Sequence, residues 1–320
     1  MRYVIYGAGA IGGAVGARLF QHGHEVVLIA RGAHLAAIQA NGLVLVTPNE
    51  RVTLPIPAVE LPSQLEPRPD DVVMMAMKTQ DTEAALAELA AAYGDGVPVV
   101  CLQNGVENER LALRRFQRVY AVPVMMPATH LEPGVVQADS ANMTGVLDIG
   151  VYPSGVDELA TLICADLAES RFSSMPDANV MRRKYTKLLM NLGNALQAAC
   201  GQVDTSSVAA MARAEALACY RAAGIDFASD EEDRARRADH IRIQPIAGQR
   251  RGGGSTWQSL ARGKTTVEAD WLNGEICLLG RVHGVPTPVN ALLQRVANRL
   301  ARAGTPPGSM TVEQLLAELD

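Results

Sequence analysis

Residues 2–31 constrain the fold most tightly: a short apolar run, a glycine-rich turn, a helix of small residues and a second apolar run. Residues 3–6 are β-favouring and lack helical period, so they read as a buried strand. Gly7, Ala8, Gly9, Ala10, Ile11 and Gly12 follow at once. A small-residue amphipathic helix then runs to about residue 21, where Gly23 is placed to end it in a left-handed turn. A second strand occupies 26–30. Each glycine has a physical reason here. Gly7 lets the chain turn off the strand, and Gly9 removes a Cβ that would obstruct a pyrophosphate. Gly12 lets the helix lie close on the sheet with its N–H groups and dipole toward the phosphates. Alone the motif is weak; between a strand and a helix it predicts a dinucleotide site.

The end of the second strand selects the dinucleotide. NAD-binding versions usually carry an acid roughly 20 residues on, for the ribose 2′-hydroxyl. This chain has Arg31 instead. A guanidinium attracts a 2′-phosphate and stacks on adenine, so the residues favour NADP(H) over a merely solvated strand-end arginine.

At 320 residues the length suits about two domains, and 48% apolar with 20% charged residues suits a globular core. A net charge of −5 excludes bulk attraction to nucleic acid or an anionic membrane. No apolar run approaches the ~20 residues that span a bilayer, and a strand at the N-terminus reads as no signal peptide. Cys101, Cys164, Cys200, Cys219 and Cys277 are scattered, with neither a disulfide framework nor a CxxC site. They read as reduced core residues in a cytoplasm. The histidines have no accompanying carboxylate or cysteine cluster, so no metal is expected.

Strand and helix patterns alternate to about residue 175. Residues 43–46 and 51–56 flank a turn and read as a hairpin. DVVMMAM at 71–77 is the continuous apolar run of a strand covered on both faces, and it delivers Lys78. A helix over 81–93 leads to a strand at 98–102, which delivers Gln103, Asn104 and Gly105. Lys78 and Asn104 thus fall just beyond carboxyl ends of strands, where an open α/β sheet contacts its ligand. Helix capping is the alternative for Asn104. Strands near 119–124, 135–136 and 146–149 continue the sheet. A helix over 155–169 and a strand at 172–175 close the domain, with a hinge at 173–177. The predicted fold is α/β: an N-terminal Rossmann dinucleotide-binding domain (1–175) followed by an all-α C-terminal domain (176–320).

The first long helix of the second half, 180–199, carries Lys187, Asn191 and Asn194 on one face. Its neighbours Leu188, Leu189 and Met190 leave little else polar, so the three read as lining a cleft. Residues 230–240 pair acids and arginines as a solvated helix does. Residues 250–254 read as a flexible link, and helices follow at 268–283, 288–302 and 311–319.

GAGAIG at 7–12, Lys78, QNGVEN at 103–108, KLLMN at 187–191, STWQSL at 255–260 and VEADWLNGE at 267–275 occur in the order of the ketopantoate reductase family. The chain resembles that family over nearly its whole length. The resemblance implies a Rossmann domain joined to a helical domain, with the active site in the cleft between them. It implies Lys187 as general acid and Glu268 as its accompanying carboxylate. It assigns the substrate to Lys187, Asn104, Asn191, Asn194 and Ser255 or Thr256. It assigns NADPH to residues 7–12, Arg31 and Lys78, with Asn104 and Glu268 also at the cofactor. The implied reaction is NADPH-dependent reduction of 2-dehydropantoate to (R)-pantoate, in pantothenate synthesis. The chain departs from the family where a second asparagine is Ala195, with Asn194 one residue early, and where Thr256 precedes Trp257. A different 2-oxo acid, or a non-catalytic NADP(H)-binding sensor, stand as the other readings. A small 2-oxo acid is the expected partner, without nucleic acid or membrane and with a homodimer left open.

Overall fold

In the computed structural model, which describes residues 1–246, 248 and 252–319, the apolar runs form β1 (Arg2–Tyr6), β2 (Glu25–Ile29), β3 (Leu43–Val46), β4 (Arg51–Leu54), β5 (Ala58–Val59), β6 (Asp71–Met75), β7 (Val99–Cys101), β8 (Val119–Ala121), β9 (Ala128–Thr129), β10 (Val135–Ala138) and β11 (Gly150–Val151). Between and after them come α1 (Ala10–Gln21), α2 (Gly32–Asn41), α3 (Thr82–Tyr93), α4 (Asn108–Leu113) and α5 (Glu158–Glu169). The main sheet has the order β11-β8-β7-β6-β1-β2-β5, parallel except for β11 against β8. From β5 to β8 this is the 3-2-1-4-5-6 order of dinucleotide folds, and the strand order reverses between β1 and β6.

Alternation along β1 explains why it is apolar throughout. Tyr3 and Ile5 pack with Ala14, Val15 and Ala17 of α1 on one face. Val4 and Tyr6 pack with Ala85, Leu86 and Leu89 of α3 on the other. A parallel strand so covered has no solvent face to spend on polar residues. Gly23 ends α1 as expected: at φ +90, its N–H donates to Phe20 O at 3.1 Å and the His24 N–H donates to Leu19 O at 3.1 Å, a Schellman pairing.

The hairpin at 43–54 forms, with Val46 opposite Arg51, but it belongs to a second sheet of order β4-β3-β10-β9. Residues 135–138 therefore do not continue the main sheet. They pair in parallel with β3 and lie over α1, where a Cβ on Gly13 would come within 2.7 Å of Val136 Cγ1. Residues 146–149 and 172–175 make isolated bridges rather than strands. The expected hinge at 173–177 is pinned to them: Leu147 N–H donates to Ser173 O and Asp177 N–H donates to Ile149 O, both at 2.9 Å.

The remaining helices are α6 (Val180–Asn191), α7 (Gly193–Cys200), α8 (Ser206–Ala223), α9 (Asp230–Arg237), α10 (Ser255–Ala261), α11 (Asn273–His283), α12 (Pro288–Arg302) and α13 (Val312–Leu316). The compact units are Met1–Lys184 with Ser229–Arg251, and Tyr185–Ala228 with Gly252–Asp320. The division thus falls within α6 rather than at 175/176, and the segment containing α9 returns to the first unit. Its reason is long-range bonding. Arg236 Nε donates to Asp148 at 2.8 Å, and Ala141 N–H donates to Arg242 O at 2.9 Å. The charged stretch at 230–240 forms the expected helix, mostly exposed and with Arg237 paired to Asp233 one turn back, and Arg236 fastens its one inward side to Asp148. Residues 250 and 251 of the expected link lie outside the described residues.

The second unit has its own core of Leu196, Val208, Leu292, Leu293, Val296 and Leu300. The single helix expected over 180–199 is interrupted at Leu192, whose carbonyl accepts from Asn273 Nδ2 at 3.2 Å. Among the described residues no helix is long and apolar enough to cross a membrane. All five cysteines are buried and unbridged.

Candidate functional site

The first unit gathers its predicted residues at the carboxyl ends of β1, β2, β6 and β7. Gly7 has φ +101, and a Cβ there would meet Met77 N at 2.6 Å. Only glycine combines that backbone with so close an approach to the chain leaving β6. A Cβ on Gly12 would meet Gly7 O at 2.3 Å and Ile5 Cγ2 at 2.9 Å, so α1 packs directly on β1. A Cβ on Gly9 would meet nothing within 4 Å. Gly9 is the N-cap of α1 and supplies no side-chain cap to the first-turn N–H groups. Ala8 is buried, while Ala10 and Ile11 pack against the core from its edge. The three glycines therefore differ in kind: two are required by the protein's own packing, and one leaves space in front of a helix N-terminus. Such a cradle suits a pyrophosphate.

Lys78 lies three residues beyond the end of β6, as the N-cap of a single 3-10 turn, Thr79–Asp81. A buried polar network ties it to the loop after β7. Asn108 Nδ2 donates to Asn104 O at 2.9 Å and to Thr79 Oγ1 at 3.2 Å, and the Thr82 hydroxyl donates to Asn108 Oδ1 at 2.9 Å. Gln103 Nε2 donates to Met77 O at 2.9 Å and to Thr82 Oγ1 at 2.8 Å. These bonds fix the loops bearing Lys78 and Asn104 relative to each other. Asn104 accepts through its backbone, and its Oδ1 is buried without a donor among the described residues. Asn108→Leu, close in volume, is expected to cost about 1–3 kcal/mol for each buried partner left unbonded, read as a lower midpoint in urea unfolding.

Arg31 caps α2 just past β2. It is not a lone cation: Nη2 donates to Glu88 Oε2 at 2.9 Å, and the Tyr6 hydroxyl donates to the same oxygen. His34, one turn into α2, bonds Ala8 O through Nε2 at 2.7 Å and accepts from Gly134 N–H through Nδ1 at 2.9 Å. A backbone N–H can only donate, so the neutral ring carries its proton on Nε2. That proton holds the glycine turn.

In the second unit Lys187 is half-buried on α6, and Asn191 lies one turn later, buried, its Oδ1 without a donor among the described residues. Asn194 falls beyond the interruption, on α7. It neighbours the start of α10, since a Cβ on Gly254 would come within 3.1 Å of Asn194 Oδ1. Gly254 N–H donates to Gln197 Oε1 at 2.8 Å, fixing that helix start. Ser255, its first residue, is half-buried, whereas Thr256 is buried at 1% exposure. Glu268 is buried at the first position of a 3-10 turn, Glu268–Trp271. Ala195 lies in the helical core. Among the described residues no cluster of histidine, cysteine and acid is arranged for a metal.

The sequence did not disclose Glu88, His34 or the buried pair of Lys184 and Glu109. Lys184 has one faint signal: it lies three residues before Lys187, on a similar helix face.

Similarity to known proteins covers both units. A family model described as "Ketopantoate reductase PanE/ApbA" matches residues 3–153, and its C-terminal counterpart matches 179–301. A 2-dehydropantoate 2-reductase of Mesorhizobium japonicum is 29% identical, with 94% of this chain and 98% of that protein covered. The crystal structure of a PanE/ApbA family ketopantoate reductase from Ralstonia eutropha JMP134 superposes at TM-score 0.79 with 30% identity, covering 95% of this chain and 99% of that one. D-mandelate dehydrogenase, solved with NADH and anilino(oxo)acetate, shares the fold at TM-score 0.81 and 23% identity, covering 95% and 99%.

Proposed function

The chain belongs to the ketopantoate reductase family, a family of oxidoreductases, and on that premise we propose that it reduces the C2 carbonyl of 2-dehydropantoate with NADPH to give (R)-pantoate. The observation that carries this reading is Asn191 Oδ1, a buried acceptor without a donor among the described residues, one turn from the Lys187 ammonium on α6. An ammonium followed by an open amide oxygen suits a hydroxylated 2-oxo acid: the amide accepts from substrate O–H, and the ammonium faces developing oxyanion charge. Of the two hydroxyls left open by the sequence, Ser255 is the better substrate contact, because it is half-buried whereas Thr256 is 1% exposed.

The residues at 7–12 fit a pyrophosphate at the N-terminus of α1, with Lys78 and Arg31 as cations beside it. The bound cofactor supplies the hydride. Everything else is work for the chain's own groups. Asn104 offers its Oδ1 to a carboxamide or ribose donor. Lys187 Nζ stabilises charge on the substrate oxygen and passes it a proton, then regains one from solvent. Glu268 orients substrate and cofactor.

Gly9→Ala separates ligand binding from folding. Because its Cβ would touch no protein atom, stability should stay within about 0.5 kcal/mol of wild type. NADPH affinity should drop at least roughly tenfold if the pyrophosphate comes close to that Cα. Unchanged affinity in titrations of intrinsic fluorescence would remove the cradle assignment. The reaction itself is tested by NADPH oxidation with ketopantoate against a panel of linear and branched 2-oxo acids, with NADH as control. Ketopantoate is expected to give the highest kcat/KM. Weak turnover without discrimination would transfer the function to another 2-oxo acid, a reading favoured by Ala195 lying in the core where the family often has an asparagine. Tight NADPH binding without oxidation by any member would indicate a sensor.

A further inference from the structure

The end of β2 lacks the acid that usually receives a ribose 2′-hydroxyl, yet a carboxylate reaches the same place from α3. Glu88 Oε2 accepts from Arg31 Nη2 at 2.9 Å and from the Tyr6 hydroxyl, and Arg31 Nη2 lies 3.4 Å from the Tyr6 oxygen. Burial, with the Glu88 carboxylate beside it, pushes the Tyr6 phenol up, so it remains a donor to Glu88. A ribose at the end of the second strand would therefore meet a guanidinium–carboxylate pair. The guanidinium attracts a 2′-phosphate. The carboxylate repels that phosphate, competes for the same guanidinium, and can accept from a free 2′-hydroxyl.

We infer that Glu88 is a specificity-determining residue that tempers the preference of Arg31 for a phosphorylated ribose, so that the chain binds NADH as well as NADPH. This rests on the dinucleotide reading of residues 7–12. The pair is half-exposed, with side-chain exposures of 54% and 40%, so its effect is modest. An exposed pair and one screened repulsion together change the ratio of the two affinities by about threefold to tenfold.

The test is the dissociation constant of each dinucleotide for the full chain and for Glu88→Gln and Glu88→Ala, with thermal stability measured alongside. Both variants should tighten NADPH and weaken or leave NADH, moving the ratio of affinities by that factor. Glu88→Gln keeps an acceptor for the Tyr6 hydroxyl and should melt near wild type, whereas Glu88→Ala leaves that hydroxyl without it and should melt somewhat lower. Agreement between them assigns the effect to charge rather than shape. An unmoved ratio, with both dinucleotides still binding, overturns the role of Glu88 alone. If wild type binds neither, the dinucleotide reading falls and this inference with it.

Discussion

Lys187→Ala is expected to lower kcat for ketopantoate reduction by roughly 10²–10⁴-fold, the usual contribution of a general acid, while NADPH affinity stays near wild type. The two readouts separate because Lys187 lies on the part of α6 that belongs to the second unit, whereas the glycine turn, Lys78 and Arg31 belong to the first. Hydride addition to a carbonyl builds negative charge on oxygen, and an ammonium that stabilises and then protonates it lowers the barrier at that step. Lys187→Arg sharpens the test. A guanidinium keeps the positive charge but gives up its proton reluctantly. It should preserve much of the substrate KM while kcat stays low, and small primary amines added to Lys187→Ala should restore part of the rate. Wild-type kcat in Lys187→Ala would exclude this lysine as the proton donor.

What the sequence disclosed depended on how local its causes were. The turn at 7–12 was legible because strand, glycines and helix are consecutive, and the requirement for Gly7 and Gly12 arises from near neighbours such as Gly7 O over Gly12. The positions of Lys78 and Asn104 beyond the carboxyl ends of β6 and β7 were legible because continuous apolar runs point to buried parallel strands. The second sheet was not legible as such: β9 has two residues, and β10 pairs with a strand some ninety positions earlier. No periodicity develops over so few residues. The return of α9 to the first unit was hidden for the same reason, since Arg236 meets Asp148 only after folding. Glu88 beside Arg31 could not be read from spacing either. It is a half-exposed position of α3, outside the apolar stripe of Ala85, Leu86 and Leu89 that shows the helix pattern. Nor did the pattern separate the two lysines of RRKYTK at 182–187.

That last ambiguity leads to an effect on stability as large as the catalytic one. Lys184 and Glu109 are 2% and 0% exposed, and the ammonium donates both to the carboxylate and to Gln103 O, the latter at 3.0 Å. It therefore fastens the first turn of α6, which belongs to the first unit, to the loop that carries Asn104. Burial pushes the Glu109 carboxyl up, and the Lys184 ammonium opposes that shift. Lys184→Met removes the opposing cation and leaves a carboxylate enclosed, at an expected cost of about 3–5 kcal/mol in unfolding free energy. The pH dependence has a definite sign. An acid whose folded pKa lies above its unfolded value of ~4.3 contributes stability below that value and loses it as pH rises through the folded one. The deficit of Lys184→Met should therefore be smallest in acid and widen toward neutrality. Lys184→Met combined with Glu109→Leu removes both charges, so it should recover much of the loss, a coupling that two independent sites would not give. If the single variant unfolds at the wild-type midpoint at neutral pH, or the double variant merely adds two losses, Lys184 is not the cation that holds this loop.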